Sequence, residues 1–189
     1  MTTEAQITAW LATQQDAMLA ELKEMVNTDG GSYDKAGVDK TGAQVKRFLA
    51  SHGIAVEVVP REKHGDCLRG IVPGAHEIAS GNQQKNIVLM GHRDTVFPKG
   101  EPERRPFTIQ GNIAYGPGVA DMKAGIVMNM FVLAAFHKFG GAPGPLVGLF
   151  TGDEEIGSPE GRPVIENEAR SARVVFNSEP GRPSGLPIS

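Results

Sequence analysis

The chain has 189 residues, enough for one domain with a sizeable core. Hydrophobic residues make up 40% and charged residues 22%, an ordinary globular balance, and a net charge of −3 gives no electrostatic reason to expect nucleic acid or an anionic membrane as partner. Cys67 is the only cysteine, which excludes an intrachain disulfide and suits a reducing compartment. Met1-Thr2-Thr3-Glu4-Ala5 has neither a basic nor an apolar leader segment, so a cytoplasmic location is expected. No apolar run approaches the ~20 residues of a membrane span.

In chain order, Ile7, Trp10, Leu11, Met18, Leu22 and Met25 recur at helical spacing and predict one amphipathic helix over 7–26, with Trp10 in the core. Asn27 to Ser32 reads as loop. Val38 to His52 reads as a second helix, stopped by Gly53. Ile54 to Val59 and Cys67 to Val72 read as strands, separated by a polar stretch in which His64 is expected to be solvated. Ala75 to Lys85 is a polar connection, and His76 in it is also expected at the surface. Asn86 to Met90 is a continuous apolar run of the kind buried on both faces of a sheet, and Gly91 is expected to let the chain turn after it.

Glu101 to Phe107 is a charged, Pro-rich loop. Its Arg104 and Arg105 are either solvated or steer an anionic substrate. A short hairpin is expected around Gly111-Asn112, and a long apolar helix from Ile126 to Phe139. Leu146 to Thr151 and Val174 to Ser178 are two further buried-strand candidates. Between them Ser158 to Ala169 reads as helix, with Ser158 as N-cap and Pro159 in the first turn. Helices alternating with apolar strands give an α/β class, with a mixed, mainly parallel sheet flanked by helices.

All three buried-strand candidates run into residues that can bind metal. The first ends at His92-Arg93-Asp94, the second at Asp153-Glu154-Glu155, the third at Glu179. Asp121 falls at the start of the long helix, where the helix dipole favours a carboxylate. Asp94 lies two residues past His92, so in extended chain both point to one side, and a carboxylate there can fix the imidazole tautomer. Taken singly, each has an ordinary reading: a loop histidine, an acidic turn at Glu154-Glu155, a helix cap at Asp121, a turn start at Glu179. Taken together they fall at matching strand ends, where open α/β sheets place ligands. One imidazole among several carboxylates is zinc chemistry, and that many carboxylates can hold two ions.

His92-Arg93-Asp94, Gly116-Pro117-Gly118-Val119-Ala120-Asp121-Met122-Lys123, Gly152-Asp153-Glu154-Glu155-Ile156-Gly157-Ser158 and Ser178-Glu179-Pro180 resemble the successive motifs of the co-catalytic zinc exopeptidases. That family includes carboxypeptidase G (glutamate carboxypeptidase), aminoacylase, acetylornithine deacetylase and succinyl-diaminopimelate desuccinylase. The resemblance implies a zinc-exopeptidase-like fold and an amide hydrolase that uses metal-activated water. Its substrate would be a small peptide or N-acyl amino acid with a free carboxylate.

By the same resemblance His92 and Glu179 hold one zinc, Asp121 bridges to a second, and Glu155 binds that second ion. Cobalt is able to substitute. Glu154 is the general base, Asp94 stands behind His92, and the Asp121–Met122 peptide is cis. Family members are often homodimeric through a lid domain, and some are exported, so export stays open. A late histidine that completes the second zinc, and the lid domain itself, match nothing in this sequence. The expectation is therefore an incomplete catalytic domain over 1–181 with a loop-like tail over 182–189. It would hold one well-formed zinc site and have little or no activity alone. The alternative is a non-catalytic metal-binding fragment.

Overall fold

The computed structural model describes residues 2–74 and 85–181. All but Lys85 of the connection expected over Ala75 to Lys85, His76 included, and the tail expected over 182–189 lie outside the described residues. Helix α1 (Thr3–Ala12) and α2 (Gln15–Val26) come first, then α3 (Lys35–Ser51), β1 (Val56–Val59), β2 (Cys67–Val72) and β3 (Asn86–His92). A single turn α4 (Glu101–Arg104) and a hairpin of β4 (Thr108–Gln110) and β5 (Ile113–Tyr115) follow. Then come α5 (Ala124–Phe139), β6 (Leu146–Thr151), α6 (Arg162–Ser171) and β7 (Ala172–Asn177).

The main sheet has five strands in the order β1-β2-β6-β3-β7. It is mixed: β1/β2 and β2/β6 pair antiparallel, while β6/β3 and β3/β7 pair parallel. The parallel part carries the site, because its strands all end on the same rim.

Side chains alternate across this part of the sheet. Leu89, Leu146 and Phe150 join the large core formed with α2, α3 and α5, while Val88, Val147 and Leu149 meet Val164 and Ile165 of α6 on the other face. That burial on both faces explains why β3 and β6 are continuous apolar runs. The stretch Val119–Phe139 is long and apolar enough to cross a membrane by length and composition, contrary to the sequence expectation that no such run exists. Its apolar residues are spent otherwise: Ile126, Val127, Met130, Phe131, Leu133 and Ala134 sit in the protein core.

The expected single helix over 7–26 is two helices. Thr13 breaks it: its Oγ1 donates to the Trp10 carbonyl at 2.7 Å and its N–H to the same carbonyl at 3.0 Å, a local alternative to the helical ladder. Trp10 packs on the core as expected, 6.3 Å from the Phe131 ring. Helix α3 starts three residues earlier than expected, where Asp34 accepts from the Gly37 N–H at 3.2 Å.

The helix expected from Ser158 begins only at Arg162. Buried Asp153 accepts from the Glu160 and Gly161 N–H groups, both at 2.8 Å, and so holds the preceding residues in a turn. His64 is buried rather than solvated, its Nδ1 2.9 Å from Glu160 Oε2. Strand β7 is not buried on both faces. Among the described strands it pairs with β3 alone, and Val174, Val175 and Phe176 are exposed.

Candidate metal centre

His92 is the last residue of β3 and is buried. Its Nδ1 lies 3.0 Å from the Asp94 carbonyl oxygen and 3.3 Å from Asp94 Oδ1. With the Nδ1 proton donated there, Nε2 keeps its lone pair for the rim of the sheet. Three carboxylates surround that nitrogen: Asp121 Oδ1 at 3.2 Å, Glu179 Oε1 at 3.4 Å and Glu154 Oε2 at 3.6 Å. One ligand atom each of His92, Asp121 and Glu179 lies within 4.8 Å of the others, so the structure brings these three predicted residues together.

Each member is delivered by a different local device. Asp121 sits in a short π-type turn (Val119–Lys123) that leads into α5, and the Asp121–Met122 peptide is cis. Met122 tucks under the end of β3, where its Sδ accepts from the His92 N–H at 3.2 Å. Gly91 makes that possible by close approach rather than by turning the chain: β3 runs straight through it, and a Cβ there would stand 2.7 Å from Met122 Cε.

Glu179 follows β7. Ser178 before it donates its N–H to Met90 O at 3.2 Å and its hydroxyl to Asn129 Oδ1 at 2.7 Å. Asn129, buried in α5, also donates to Met90 O at 3.1 Å. Gly125, one turn earlier, lets the Ser178 carbonyl press against the helix where any Cβ would collide with it.

Glu154 and Glu155 lie on a 3-10 turn after β6. The Asp94 carboxylate orients this turn as well as His92, accepting from Glu154 N–H at 3.1 Å and Glu155 N–H at 3.2 Å. It also accepts from Ser32 Oγ at 2.6 Å. Asp94 therefore ties three segments together at one buried point.

The electrostatics are those of crowded acids. Burial works against charge on His92, but the Asp94 hydrogen bond and the carboxylates of Asp94, Glu179 and Glu154 outweigh it and push the ring up to about 9. Burial, then the Asp121 carboxylate, pushes Glu155 above the usual carboxylate range. The same two causes raise Glu179, against the pull of His92. On Asp94 burial is outweighed by the hydrogen bonds from His92 and Ser32, so its carboxyl is held below the usual range.

An imidazole lone pair and two carboxylate oxygens at these separations fit one tetrahedral cation of zinc type with a position left open. Glu155 lies outside that three-residue group and is turned toward a neighbouring cleft, which it lines.

Arg104 and Arg105, read as either solvated or substrate-facing, both pair with buried Glu101 of their own loop. Several supporting residues escaped the sequence reading. Asn129 had a usable signal, a lone amide inside an apolar helical run. Ser32 and Asp153 had none, because their roles depend on partners far along the chain. Arg93 and Lys123, quoted only as motif members, are both buried and direct their hydrogen bonds to backbone carbonyls. Arg93 Nη1 donates to Val38 O at 2.7 Å and Nη2 to Asp66 O, while Lys123 Nζ donates to Thr28 O at 3.1 Å.

Comparison with known proteins agrees with this geometry. Residues 88–188 match peptidase family M20/M25/M40. The chain is 34% identical over 170 residues to carboxypeptidase G2 of Pseudomonas sp. (strain RS-16), covering 88% of this chain and 39% of that protein. It is 38% identical over 77 residues to succinyl-diaminopimelate desuccinylase of Anaplasma marginale (strain Florida), covering 40% of this chain and 19% of that protein. The fold is that of human carnosine dipeptidase 1, with a TM-score of 0.76 at 17% identity over 95% of this chain and 42% of that one. It is also that of the M20 family metallo-carboxypeptidase Sso-CP2 from Sulfolobus solfataricus, with a TM-score of 0.70 at 21% identity over 89% of this chain and 38% of that one. The chain thus spans well under half the length of the relatives it matches. The motifs and their shared rim, the fold and the family match agree, and the chain belongs to peptidase family M20/M25/M40.

Proposed function

We propose that the chain forms part of the catalytic domain of a metal-dependent hydrolase that cleaves the amide bond of a peptidyl or N-acyl amino acid with a free carboxylate. The observation that carries this reading is the convergence of Asp121, Glu179 and Glu154 on His92 Nε2. Similarity to carboxypeptidase G2 supports the choice of substrate class.

In this reading His92, Asp121 and Glu179 hold one zinc, while Asp121 and Glu155 reach toward a second. The bound cation supplies Lewis acidity to the amide carbonyl and to water. Glu154 takes the proton from that water and hands it to the departing amine. It suits the role because it reaches the rim without belonging to the three-residue ligand group. Asp94 keeps the His92 ring in its metal-binding tautomer and fixes the turn from which Glu154 and Glu155 project.

A second reading, a metal-binding chain without hydrolase activity, is favoured by one observation. Among the described residues a single three-ligand group forms, and no second imidazole joins Glu155. Zinc stoichiometry and hydrolysis of an N-acyl-glutamate by the zinc-loaded chain separate the two. One zinc and no turnover is the expected result for this chain by itself, and full activity would overturn that expectation. Glu154→Gln should keep one zinc and lower any turnover by about 10²-fold or more. Loss of the metal instead would mean that Glu154 is itself a ligand of that zinc.

A further inference from the structure

Beside the metal centre lies a cleft of about 530 Å³ that the proposed chemistry does not account for. The volume falls within the ~300–1,000 Å³ of small-molecule sites. It is lined by Ser32 and Tyr33 of one segment, Val96 and Phe97 of a second, and Glu155 and Ile156 of the turn after β6. The exposed lining is mostly apolar.

Two observations separate this cleft from ordinary surface. The first is rigidity of its walls: Thr95 N–H donates to Gly30 O at 2.8 Å, Ser32 N–H to Thr95 O at 3.2 Å, and Gly31 and Thr95 form a parallel bridge. The second is what those walls display. Tyr33 is 82% and Val96 68% exposed, so the fold itself buries neither, yet both line the same cavity. Large apolar side chains gathered around one depression mark a binding site more often than scattered ones do.

The cleft also adjoins the metal centre through residues that support it. Ser32, one of its lining residues, donates to the Asp94 carboxylate that orients His92. Glu155, another lining residue, stands on the same turn as Glu154 and donates its N–H to that Asp94 carboxylate at 3.2 Å.

We propose that this cleft is the subsite for a bulky apolar side group next to the scissile amide, and that Tyr33 and Val96 set the preference for it. The proposal rests on the hydrolase reading, because adjacency to the metal centre is what makes the occupant a substrate group. A flat aromatic or branched aliphatic group entering between Tyr33 and Val96 would leave its amide at the Glu155 end, beside the cations. A methyl group would leave both side chains in water. Neither residue touches the reacting atoms, so their influence should fall on binding and leave the metal untouched.

The test uses the zinc-loaded chain and three probes: N-acetylglycine, N-benzoylglycine and N-acetylphenylalanine. They share an amide and a carboxylate and differ in where an aromatic ring is attached. Zinc content is measured first, then probe affinity by calorimetry. One of the two aromatic probes is expected to bind about tenfold more tightly than N-acetylglycine, equivalent to ~1.4 kcal/mol. Val96→Asp and Tyr33→Ala should each remove most of that margin while zinc content and melting temperature stay unchanged. Both positions are exposed, so neither variant threatens the fold. Affinities equal within about twofold, no probe binding at all, or a margin that survives both substitutions would overturn the subsite and leave the metal reading intact. Failure of the wild-type chain to take up zinc would overturn both, and is seen before any probe is added.

Discussion

Replacing Asp94 by Ala tests whether one buried carboxylate organises the rim. In the wild type it accepts from Ser32 Oγ at 2.6 Å, Glu154 N–H at 3.1 Å and Glu155 N–H at 3.2 Å, and lies 3.3 Å from His92 Nδ1. A buried donor stripped of its acceptor costs roughly 1–3 kcal/mol. The serine hydroxyl can rotate and the two amides lie on a part-exposed turn, so the sum should fall at about 2–4 kcal/mol rather than the full total. For a domain of this size each kcal/mol moves the melting temperature by roughly 2–4 °C, so a drop of about 5–15 °C is expected for the metal-free protein. The zinc effect should be smaller than removal of an orienting partner often gives, about tenfold from a range of roughly 10–100-fold. The reason is that His92 Nδ1 keeps the Asp94 backbone oxygen at 3.0 Å, which alanine retains. Thermal denaturation followed by circular dichroism, and competition with a chromophoric chelator, measure the two quantities. A melting temperature within about 2 °C of wild type together with an unchanged zinc affinity would refute the reasoning.

Other outcomes follow from the same coordinates. The His92 ring is raised from 6.5 to about 9 in the metal-free chain, so the stability its charge contributes is whole below pH 6.5 and lost as pH rises through about 9. Zinc requires the ring without that proton, so zinc affinity should climb up to about tenfold per pH unit between 6.5 and 9, with one proton released per zinc; calorimetry in two buffers of different ionisation enthalpy counts it. A flat profile would show that His92 is already neutral. Asn129→Leu keeps volume but strips the hydrogen bonds to Met90 O and Ser178 Oγ, and should weaken zinc binding by about tenfold through Glu179, with the helical content unchanged. Gly125→Ala drives a methyl into the Ser178 carbonyl and should cost about 1–3 kcal/mol, read as a lower midpoint in urea denaturation.

Much of the site could be read before any coordinates because it is built from strand ends. A strand buried on both faces must be written in apolar residues, so Asn86 to Met90 and Leu146 to Thr151 announce themselves, and the polar residue that follows each falls on the rim of a parallel sheet. What escaped depends on contacts between distant segments. Nothing near Ser158 reveals that the Asp153 carboxylate will occupy the amides of Glu160 and Gly161 and delay the helix to Arg162. Nothing near His64 reveals Glu160, and nothing in Val174-Val175-Phe176 distinguishes a central strand from one that pairs on a single side. The break at Thr13 has a local cause, but a hydroxyl that bonds back to its own helix is tolerated in many helices and gives no firm signal.

The balance of fixed charge at the rim argues for a cation more strongly than the distances do. Asp121, Glu154 and Glu179 gather on one imidazole nitrogen, and Glu155 feels Asp121 strongly enough to have its carboxyl raised. The two basic residues of the same motifs could have neutralised this group, yet both are withdrawn from it. Arg93 is committed to the carbonyls of Val38 and Asp66, and Lys123 to that of Thr28, each from a fully buried position. Burial holds Lys123 down to about 8. A protein that needed only to stabilise its acids would turn such side chains inward to pair with them. Here they brace backbone carbonyls, and among the described residues it is His92 that pairs with the carboxylates while it carries a proton. Binding a metal removes that proton and restores the positive charge in divalent form, which is why the same arrangement is crowded without an ion and balanced with one.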